Sequence, residues 1–250
     1  MDLEKILVCD LDGTLAPSKA PLEKPMAEVI CRVLRSRKMA VISGASFEQF
    51  EHQFLSYLPA SAAELSNLHL FPINGSAYFN YDGSVWRQVY METLTEIEKK
   101  RIYDAFGMAL PASAADVHDV GGRVDILEDR GGQITFSGLG QEAPLPQKQA
   151  WDPDESKRMR IVELLKKEIP DFEIRIGGAT SIDVTRKGIT KAYAIRKIEE
   201  HLKVSKENIV FIGDALFPGG NDSAAKETGV TCIAVAGPQE TLKILEQSLL

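Results

Sequence analysis

The sequence has few cysteines and no long apolar run. Its three cysteines, Cys9, Cys31 and Cys232, are scattered and form no Cys-x-x-Cys pair, which argues against a thiolate metal site. They are typical of buried free thiols in a reducing compartment, so we expect a cytoplasmic protein. No apolar stretch approaches membrane-spanning length, and charged residues stand where a signal peptide would begin. We therefore expect no membrane association.

Basic residues are fewer than acidic ones. The 250 residues include 36 Asp and Glu against 29 Lys and Arg, which gives a net charge of -7. Nucleic-acid binding needs clustered Lys and Arg to neutralise phosphates, and no basic stripe is present. With 44% hydrophobic and 26% charged residues, the chain has the composition of a globular protein of one large or two smaller domains.

The most informative stretch lies at the start of the chain. Residues 6–9 are apolar and predict a short buried strand, which leads into Asp10, Asp12 and Gly13. Alternate residues of an extended chain share a face, so the two carboxylates would point the same way and repel each other. A divalent cation bound by oxygen ligands, with Mg²⁺ the default, would relieve this repulsion. Alternatively, the stretch is a strand followed by a solvated acidic turn.

A strand–helix–strand unit follows. Residues 26–37 have helical apolar spacing, and residues 38–44 predict a second strand, which indicates a parallel sheet. Ligands of such sheets bind at the carboxyl ends of the strands, where Ser43 and Gly44 lie. The Ser43 hydroxyl either donates to a phosphate or caps the next helix, for which Ser46 competes. Asn74, after a third strand, either forms a turn with Gly75 or joins the same crevice.

The pattern changes near residue 90 to antiparallel strand pairs and returns to the first pattern near residue 190. The sequence therefore predicts an α/β fold: a Rossmann-like core with a parallel sheet, interrupted by an inserted α+β domain. We expect the core to comprise residues 1–84 and 188–250, and the insertion to comprise residues 85–187.

A second acidic group stands near the end of the chain. Asp214 ends a buried strand, and Asn221 and Asp222 follow after a loop. An unpaired buried carboxylate is costly, so convergence of Asp10, Asp12 and Asp214 on one cation is expected, with Asp222 as a further ligand or a helix N-cap. Lys191, at a helix start, either holds a phosphate or is simply solvated.

These residues together resemble the haloacid dehalogenase superfamily. The segment Asp-Leu-Asp-Gly-Thr matches its first motif, Ser43 the second, Lys191 the third, and residues 213–214 with 221–222 the fourth. An α+β insertion between the second and third motifs is similar to the cap of the type IIB branch. Within that branch, residues 71–75, 176–184 and 218–222 resemble segments of eukaryotic-type phosphomannomutases.

The resemblance implies a Mg²⁺-dependent phosphoryl transfer. Asp10 would be the nucleophile that forms an aspartyl-phosphate, and Asp12 the general acid and base. The other implied roles are metal binding by Asp10, Asp12, Asp214 and Asp222; phosphate binding by Ser43, Gly44, Lys191 and Asn221; and contact with a small phosphorylated substrate by Lys19, Asn74, Arg130, Gln141, Ser181 and Asp183. Alternatively, Arg130 is a solvent-exposed arginine at the tip of a hairpin and does not contact the substrate. A homodimer is a further possibility.

The insertion departs from the mutase pattern at three positions. Arg130 matches one family arginine, but Gln141 and Lys148 stand where two others are expected, and Lys19 replaces an arginine after the first motif. A mutase must hold a bisphosphate by either end, and guanidinium groups do this bidentately. The sequence therefore predicts a phosphatase acting on a sugar phosphate. The alternative is a mutase that converts mannose 6-phosphate to mannose 1-phosphate.

Overall fold

The computed structural model describes residues 5–18, 20–113, 126–140 and 143–249. It divides into two compact units, of which the first comprises Met1–Met91 with Ile189–Leu250 and the second Glu92–Gly188. Apart from short 3-10 turns, the elements in chain order are β1 (Ile6–Asp10), α1 (Lys24–Leu34), β2 (Met39–Ile42), α2 (Phe47–Gln53), α3 (Ala62–Leu65), β3 (Leu68–Phe71), β4 (Ala77–Tyr81), β5 (Trp86–Met91), α4 (Glu96–Ser113), β6 (Leu127–Asp129), β7 (Gln133–Ser137), α5 (Leu145–Trp151), α6 (Ser156–Glu168), β8 (Phe172–Gly177), β9 (Ser181–Arg186), α7 (Lys191–Leu202), β10 (Ile209–Gly213), β11 (Thr231–Ala234) and α8 (Pro238–Gln247).

The first unit contains a seven-stranded sheet in the order β11-β10-β1-β2-β3-β4-β5. The first five strands of this order are parallel, and the hairpin of β4 and β5 adds two antiparallel strands at one edge. Strand β1 is fully buried between β10 and β2, as expected for an apolar strand covered on both faces. This topology places the carboxyl ends of β1, β2 and β10 side by side.

Helices cover both faces of this sheet. Leu7 and Cys9 face a cluster that includes residues of α1, α2 and α8. Ile6 and Val8 point the opposite way, into a cluster that includes Ile195 and other residues of α7. Because successive strand residues alternate between faces, one apolar strand supplies two separate cores.

The second unit is a four-stranded antiparallel sheet in the order β6-β7-β9-β8. One face is apolar and packs with residues of α4 and α6, and Phe136 and Ile182 are completely buried there. The other face is polar: Thr135 on β7 lies opposite Asp183 on β9, and both are buried. The sequence predicts one strand pair around a turn at residues 130–132 and another formed by residues 172–176 and 181–185, and the structure confirms both.

Several predicted boundaries change in the structure. The core boundary predicted at residue 84 lies before β5, but β5 pairs with β4 in the first unit, so that unit extends to Met91. The sequence has no helical pattern over residues 138–150 and predicts a loop there, but the structure places most of α5 in this segment. The sequence predicts a helix from Thr93 with Thr93 as its N-cap, but helix α4 begins after Thr95, whose side chain and that of Glu98 form reciprocal hydrogen bonds. No helix in the described ranges is long and apolar enough to cross a membrane.

The buried His69 on β3 gives the first unit a pH-dependent stability. Its Nδ1 lies 2.9 Å from the Tyr78 hydroxyl, and burial together with the nearby Lys38 lowers its pKa from 6.5 to about 4. The folded state therefore binds this proton less readily than the unfolded state, and the stability from the neutral ring is lost as the pH falls from 6.5 towards 4.

We predict that the free energy of unfolding of the wild type falls by about 2.5 kcal/mol more than that of His69→Gln between about pH 7.5 and about pH 4.5. Urea denaturation at the two pH values measures this difference. The comparison isolates His69 because the carboxylates titrate equally in both proteins. Tyr78→Phe, which keeps a buried imidazole, should retain the wild-type pH slope. Equal slopes for the wild type and His69→Gln would contradict this assignment.

Candidate active site

A tight turn directly follows β1 and carries the first acidic pair. Asp10, the last strand residue, is buried, and Gly13 adopts a left-handed conformation with φ of 87°. The backbone amides of Leu15 and Ala16 both donate to the Leu11 carbonyl at 3.0 Å. A Cβ atom on Gly13 would collide with the carboxylate of Asp214. Glycine at this position therefore allows the turn to approach the end of β10.

The end of β10 supplies two further carboxylates. The Thr14 hydroxyl donates to Asp214 Oδ1 at 3.2 Å and accepts from the Asp214 amide at 3.0 Å. The loop that follows folds back, so that the Ala215 amide donates to Asp222 Oδ2 at 3.2 Å. Asp222 is completely buried and makes no side-chain capping hydrogen bond to the 3-10 turn that it precedes. Its alternative role as an N-cap is therefore wrong.

Three of these carboxylates could hold a metal ion together. One oxygen from each of Asp10, Asp214 and Asp222 lies within 4.8 Å of the others. Oδ1 of Asp222 is buried and accepts no hydrogen bond from any described residue. Such a cluster of oxygen ligands suits a hard divalent cation. The Asp12 carboxylate is not part of this group, and its Oδ1 instead accepts a hydrogen bond of 3.1 Å from Gln53 Nε2.

Lys191, the first residue of α7, is buried among the carboxylates. Its ammonium donates to Asp10 Oδ1 and, at 2.8 Å, to the Ile42 carbonyl at the end of β2. It also lies 3.5 Å from Asp222 Oδ1. The solvated lysine that local sequence allowed is therefore wrong, because only 1% of this residue is exposed.

Burial and neighbouring charges shift the pKa values of the groups in the site. Burial raises the pKa of Asp10 well above its usual range, although the Lys191 ammonium opposes this effect. Burial and the Asp222 carboxylate raise the pKa of Asp214. For Lys191, burial lowers the pKa, but the carboxylates of Asp10 and Asp222 outweigh burial and raise it. The site thus keeps its lysine charged and has an excess of negative charge, which a cation would offset.

Ser43, a predicted phosphate-binding residue, directly follows β2 and lies next to Asn74, a predicted substrate contact. Ser43 is buried, and its Oγ accepts from the Ala45 amide at 3.0 Å, which leaves the hydroxyl hydrogen to donate. Ser46, not Ser43, caps α2, because it forms the reciprocal capping pair with Gln49. The Asn74 amide donates to the Ser43 carbonyl at 2.8 Å, and Asn74 has a left-handed φ of 53°. The structure thus brings Asn74 next to Ser43 and also makes it a turn residue.

The structure tests two other predicted phosphate-binding residues less directly. Gly44 follows Ser43 in the same turn, and Asn221 immediately precedes Asp222; both are half-buried. Within the described part of the chain, the Asn221 side chain makes no hydrogen bond that tests its predicted role. Both remain predictions.

The polar strand face of the second unit holds the predicted substrate residues. Arg130 is buried and donates to Glu128 Oε2 at 2.7 Å, so the solvent-exposed alternative is wrong. Asp183 accepts a 2.9 Å hydrogen bond from Thr135, and Ser181 is buried two positions before it. Lys148 on α5 is also buried, which lowers its pKa. Lys19 and Gln141 lie outside the described residues.

Two contacts in the site were not foreseen. Thr14 was included in the first motif, but its pairing with Asp214 follows only from the approach of β1 to β10. Gln53 gives no sequence signal, because a glutamine in an amphipathic helix is ordinarily a surface residue. The contact is seen only in the folded chain, where Gln53 Nε2 lies 3.1 Å from Asp12 Oδ1.

Comparison with known proteins now identifies the family. The family model described as eukaryotic phosphomannomutase matches residues 26–250. The chain belongs to this family. Two relatives named phosphomannomutase, from Encephalitozoon cuniculi and Saccharomyces cerevisiae, are 25% and 26% identical and span 99% and 98% of this chain and 94% of their own lengths. These alignments also include nearly all of the first 25 residues.

Two solved structures show which fold the chain has. A haloacid dehalogenase-like hydrolase from Bacteroides thetaiotaomicron matches with a TM-score of 0.59 and 15% identity, over 98% of this chain and 99% of its own. An N-terminally truncated IMP-nucleotidase from Plasmodium falciparum matches with a TM-score of 0.70 and 19% identity, over 99% of this chain and 71% of its own. At these identities, the likeness establishes the haloacid dehalogenase fold.

The approach of Gly13 to Asp214 can be tested by substitution. We predict that Gly13→Ala displaces the Asp214 carboxylate and weakens Mg²⁺ binding, measured by calorimetry, by at least about tenfold, the effect of disturbing a ligand's support. Gly83→Ala is the matched control, because Gly83 also has a positive φ, of 100°, but nothing lies within 4 Å of its missing Cβ. Both variants should lose roughly 1 kcal/mol of stability from backbone strain. Wild-type Mg²⁺ affinity in Gly13→Ala would contradict the geometry.

Proposed function

We propose that this protein is a Mg²⁺-dependent phosphosugar mutase that interconverts hexose 1-phosphate and hexose 6-phosphate, with mannose phosphates as the first candidates. The observation that carries the proposal is the family match over residues 26–250, together with relatives named phosphomannomutase that align over nearly the whole chain. This reverses the order of the two functions predicted from the sequence, in which a phosphatase came first.

Asp10 is the proposed nucleophile. Its carboxylate oxygen forms a bond to phosphorus as the bond between phosphorus and the ester oxygen breaks, which leaves an aspartyl-phosphate. The hydrogen bond from Lys191 to Oδ1 fixes the carboxylate and directs the other oxygen at the phosphorus. The buried position of Asp10 keeps water away from this oxygen.

Asp12 is the proposed proton carrier. It protonates the departing sugar oxygen, and in the reverse sense accepts the proton of the sugar hydroxyl that attacks the aspartyl-phosphate. In a mutase cycle that hydroxyl belongs to the other end of the sugar, so a bisphosphate forms, turns round and returns one phosphate to Asp10. In a phosphatase cycle a water takes the place of the hydroxyl.

The carboxylates of Asp10, Asp214 and Asp222 fit a Mg²⁺ ion, as their spacing and the buried Asp222 Oδ1 indicate. When bound, the ion supplies positive charge that offsets the repulsion between the nucleophile and the phosphate. We assign the phosphate oxygens to the Ser43 hydroxyl and the Lys191 ammonium, with Gly44 and Asn221 as further contacts.

We assign recognition of the sugar and its second phosphate to the polar strand face of the second unit. Its buried Arg130 offers a guanidinium, Ser181 and Asp183 suit sugar hydroxyls, and Lys148 adds a cation. Additional candidates for contact with the sugar or its second phosphate are Lys19, Asn74 and Gln141.

Hydrolysis of the sugar phosphate is the second candidate. The observation in its favour is that Lys148 is a buried ammonium, which cannot make the bidentate pair that a guanidinium makes with a phosphate. A weaker hold on the second phosphate would let the sugar leave before its other hydroxyl attacks the aspartyl-phosphate. Water would then take the phosphoryl group from Asp10.

Priming with a bisphosphate separates the two reactions. The purified protein is incubated with mannose 1-phosphate and Mg²⁺, with and without hexose 1,6-bisphosphate, and the products are followed by phosphorus NMR. A mutase forms mannose 6-phosphate in the primed reaction with little inorganic phosphate. Release of inorganic phosphate in excess of the isomer, primed or not, would instead support the phosphatase.

The nucleophile assignment predicts the effect of Asp10→Asn. The amide has the size of the carboxylate but is a poor nucleophile, so turnover should fall by at least about a thousandfold. Circular dichroism should show that the variant remains folded. Asp104→Asn, at an exposed position paired with Lys100, is the control and should keep wild-type turnover. Asp10→Asn activity within a factor of about three of wild type would refute the assignment.

A further inference from the structure

Gln53, the last residue of α2, contacts the acid–base carboxylate. We propose that Gln53 is a positioning residue that fixes which oxygen of Asp12 exchanges the catalytic proton, an inference that rests on the role proposed for Asp12. The Gln53 side-chain amide donates to Asp12 Oδ1 over 3.1 Å, and Gln53 is buried, with 9% of its surface exposed. Nothing in the family comparison assigns this residue a role.

The hydrogen-bond chemistry makes the two oxygens of Asp12 unequal. An amide N–H only donates, so Oδ1 serves as the acceptor and cannot carry the acidic hydrogen towards Gln53. The proton that passes to the departing sugar oxygen must therefore reside on Oδ2. Rotation of the carboxyl group by half a turn would exchange the oxygens, and the Gln53 contact opposes that rotation.

The backbone of Gln53 strengthens the same contact. Its carbonyl accepts a 2.9 Å hydrogen bond from the Leu22 amide, at the far end of the loop that leaves the Asp12 turn. Gln53 thus binds this loop at both ends, through its side chain at Asp12 and through its main chain at Leu22. Because hydrogen bonds hold both its side chain and its main chain, Gln53 loses little further conformational entropy when it orients the Asp12 carboxylate.

Helix α2 connects this contact to the phosphate-binding turn. The helix begins at Phe47, directly after the turn that carries Ser43, and the reciprocal hydrogen bonds of Ser46 and Gln49 fix its start. Its last residue is Gln53. One short rigid element therefore sets the distance between the proposed phosphate donor Ser43 and the proposed proton donor Asp12.

Leaving groups of different basicity test this role. Phosphorylation of Asp10 is measured in single-turnover quench experiments with two donors, a hexose bisphosphate and acetyl phosphate. The sugar leaves as an alkoxide that needs a proton, whereas acetate leaves without one. Gln53→Met removes the donor at similar length, and Gln53→Glu keeps the shape but replaces the donor with acceptors.

We expect both variants to slow phosphorylation by the sugar ester roughly tenfold to a hundredfold, part of the usual contribution of a general acid, with little change in KM. Phosphorylation by acetyl phosphate should change less than about threefold. Gln88→Met, the same substitution at an exposed position of β5, should leave both rates unchanged.

Equal slowing with both donors, or none with either, would overturn the role of Gln53 while leaving the proposed function intact. A wild-type protein that neither donor phosphorylates would overturn the proposed function and the Gln53 inference with it.

Discussion

The catalytic centre depends on a buried ammonium, that of Lys191, which lies between the carboxylates of Asp10 and Asp222. Moving such charges out of water is costly, and loss of one partner of a buried pair typically costs about 3–5 kcal/mol. An apolar replacement would pack as well, so stability alone does not explain this arrangement. The arrangement is explained if the site must hold one carboxylate in a fixed position and must also attract a cation and a phosphate. Burial raises the pKa of Asp10 and of Asp214, and the neighbouring Asp222 carboxylate adds to both shifts.

The topology of the sheet brings these groups together. Strand β1 pairs in parallel with β10 on one side and β2 on the other, so the ends of three strands meet. Lys191 contacts the carboxyl ends of β1 and β2 through Asp10 and the Ile42 carbonyl, across 181 and 149 positions of sequence. The same closeness explains Gly13, since a side chain there would displace Asp214. The site is therefore a direct consequence of strand order.

Residues at strand ends could be predicted because a buried parallel strand has a clear sequence pattern and its ligands lie at one end. Asp10, Ser43 and Asp214 were found this way. For Lys191 the sequence left a phosphate contact and a solvated lysine open, and only the family resemblance favoured the phosphate contact, since a lysine at a helix start is ordinarily solvated. Gln53 and α5 were missed: a single tertiary hydrogen bond leaves no periodic signal, and residues 138–150 contain two prolines and two glycines. Of the two candidate functions, the comparisons favour the mutase over the phosphatase that the sequence placed first, because that order rested on three side chains against the rest of the chain.

The central claim is that phosphate passes through Asp10. It can be tested by quenching the enzyme during turnover of a hexose bisphosphate with Mg²⁺ and treating it with borohydride, which reduces an acyl phosphate to an alcohol. Peptide mass spectrometry then locates the modified residue. The structure predicts homoserine at position 10 and an unmodified Asp12, because Lys191 orients the Asp10 carboxylate whereas Gln53 binds that of Asp12. Modification at another residue, or none at position 10 while turnover proceeds, would contradict the account.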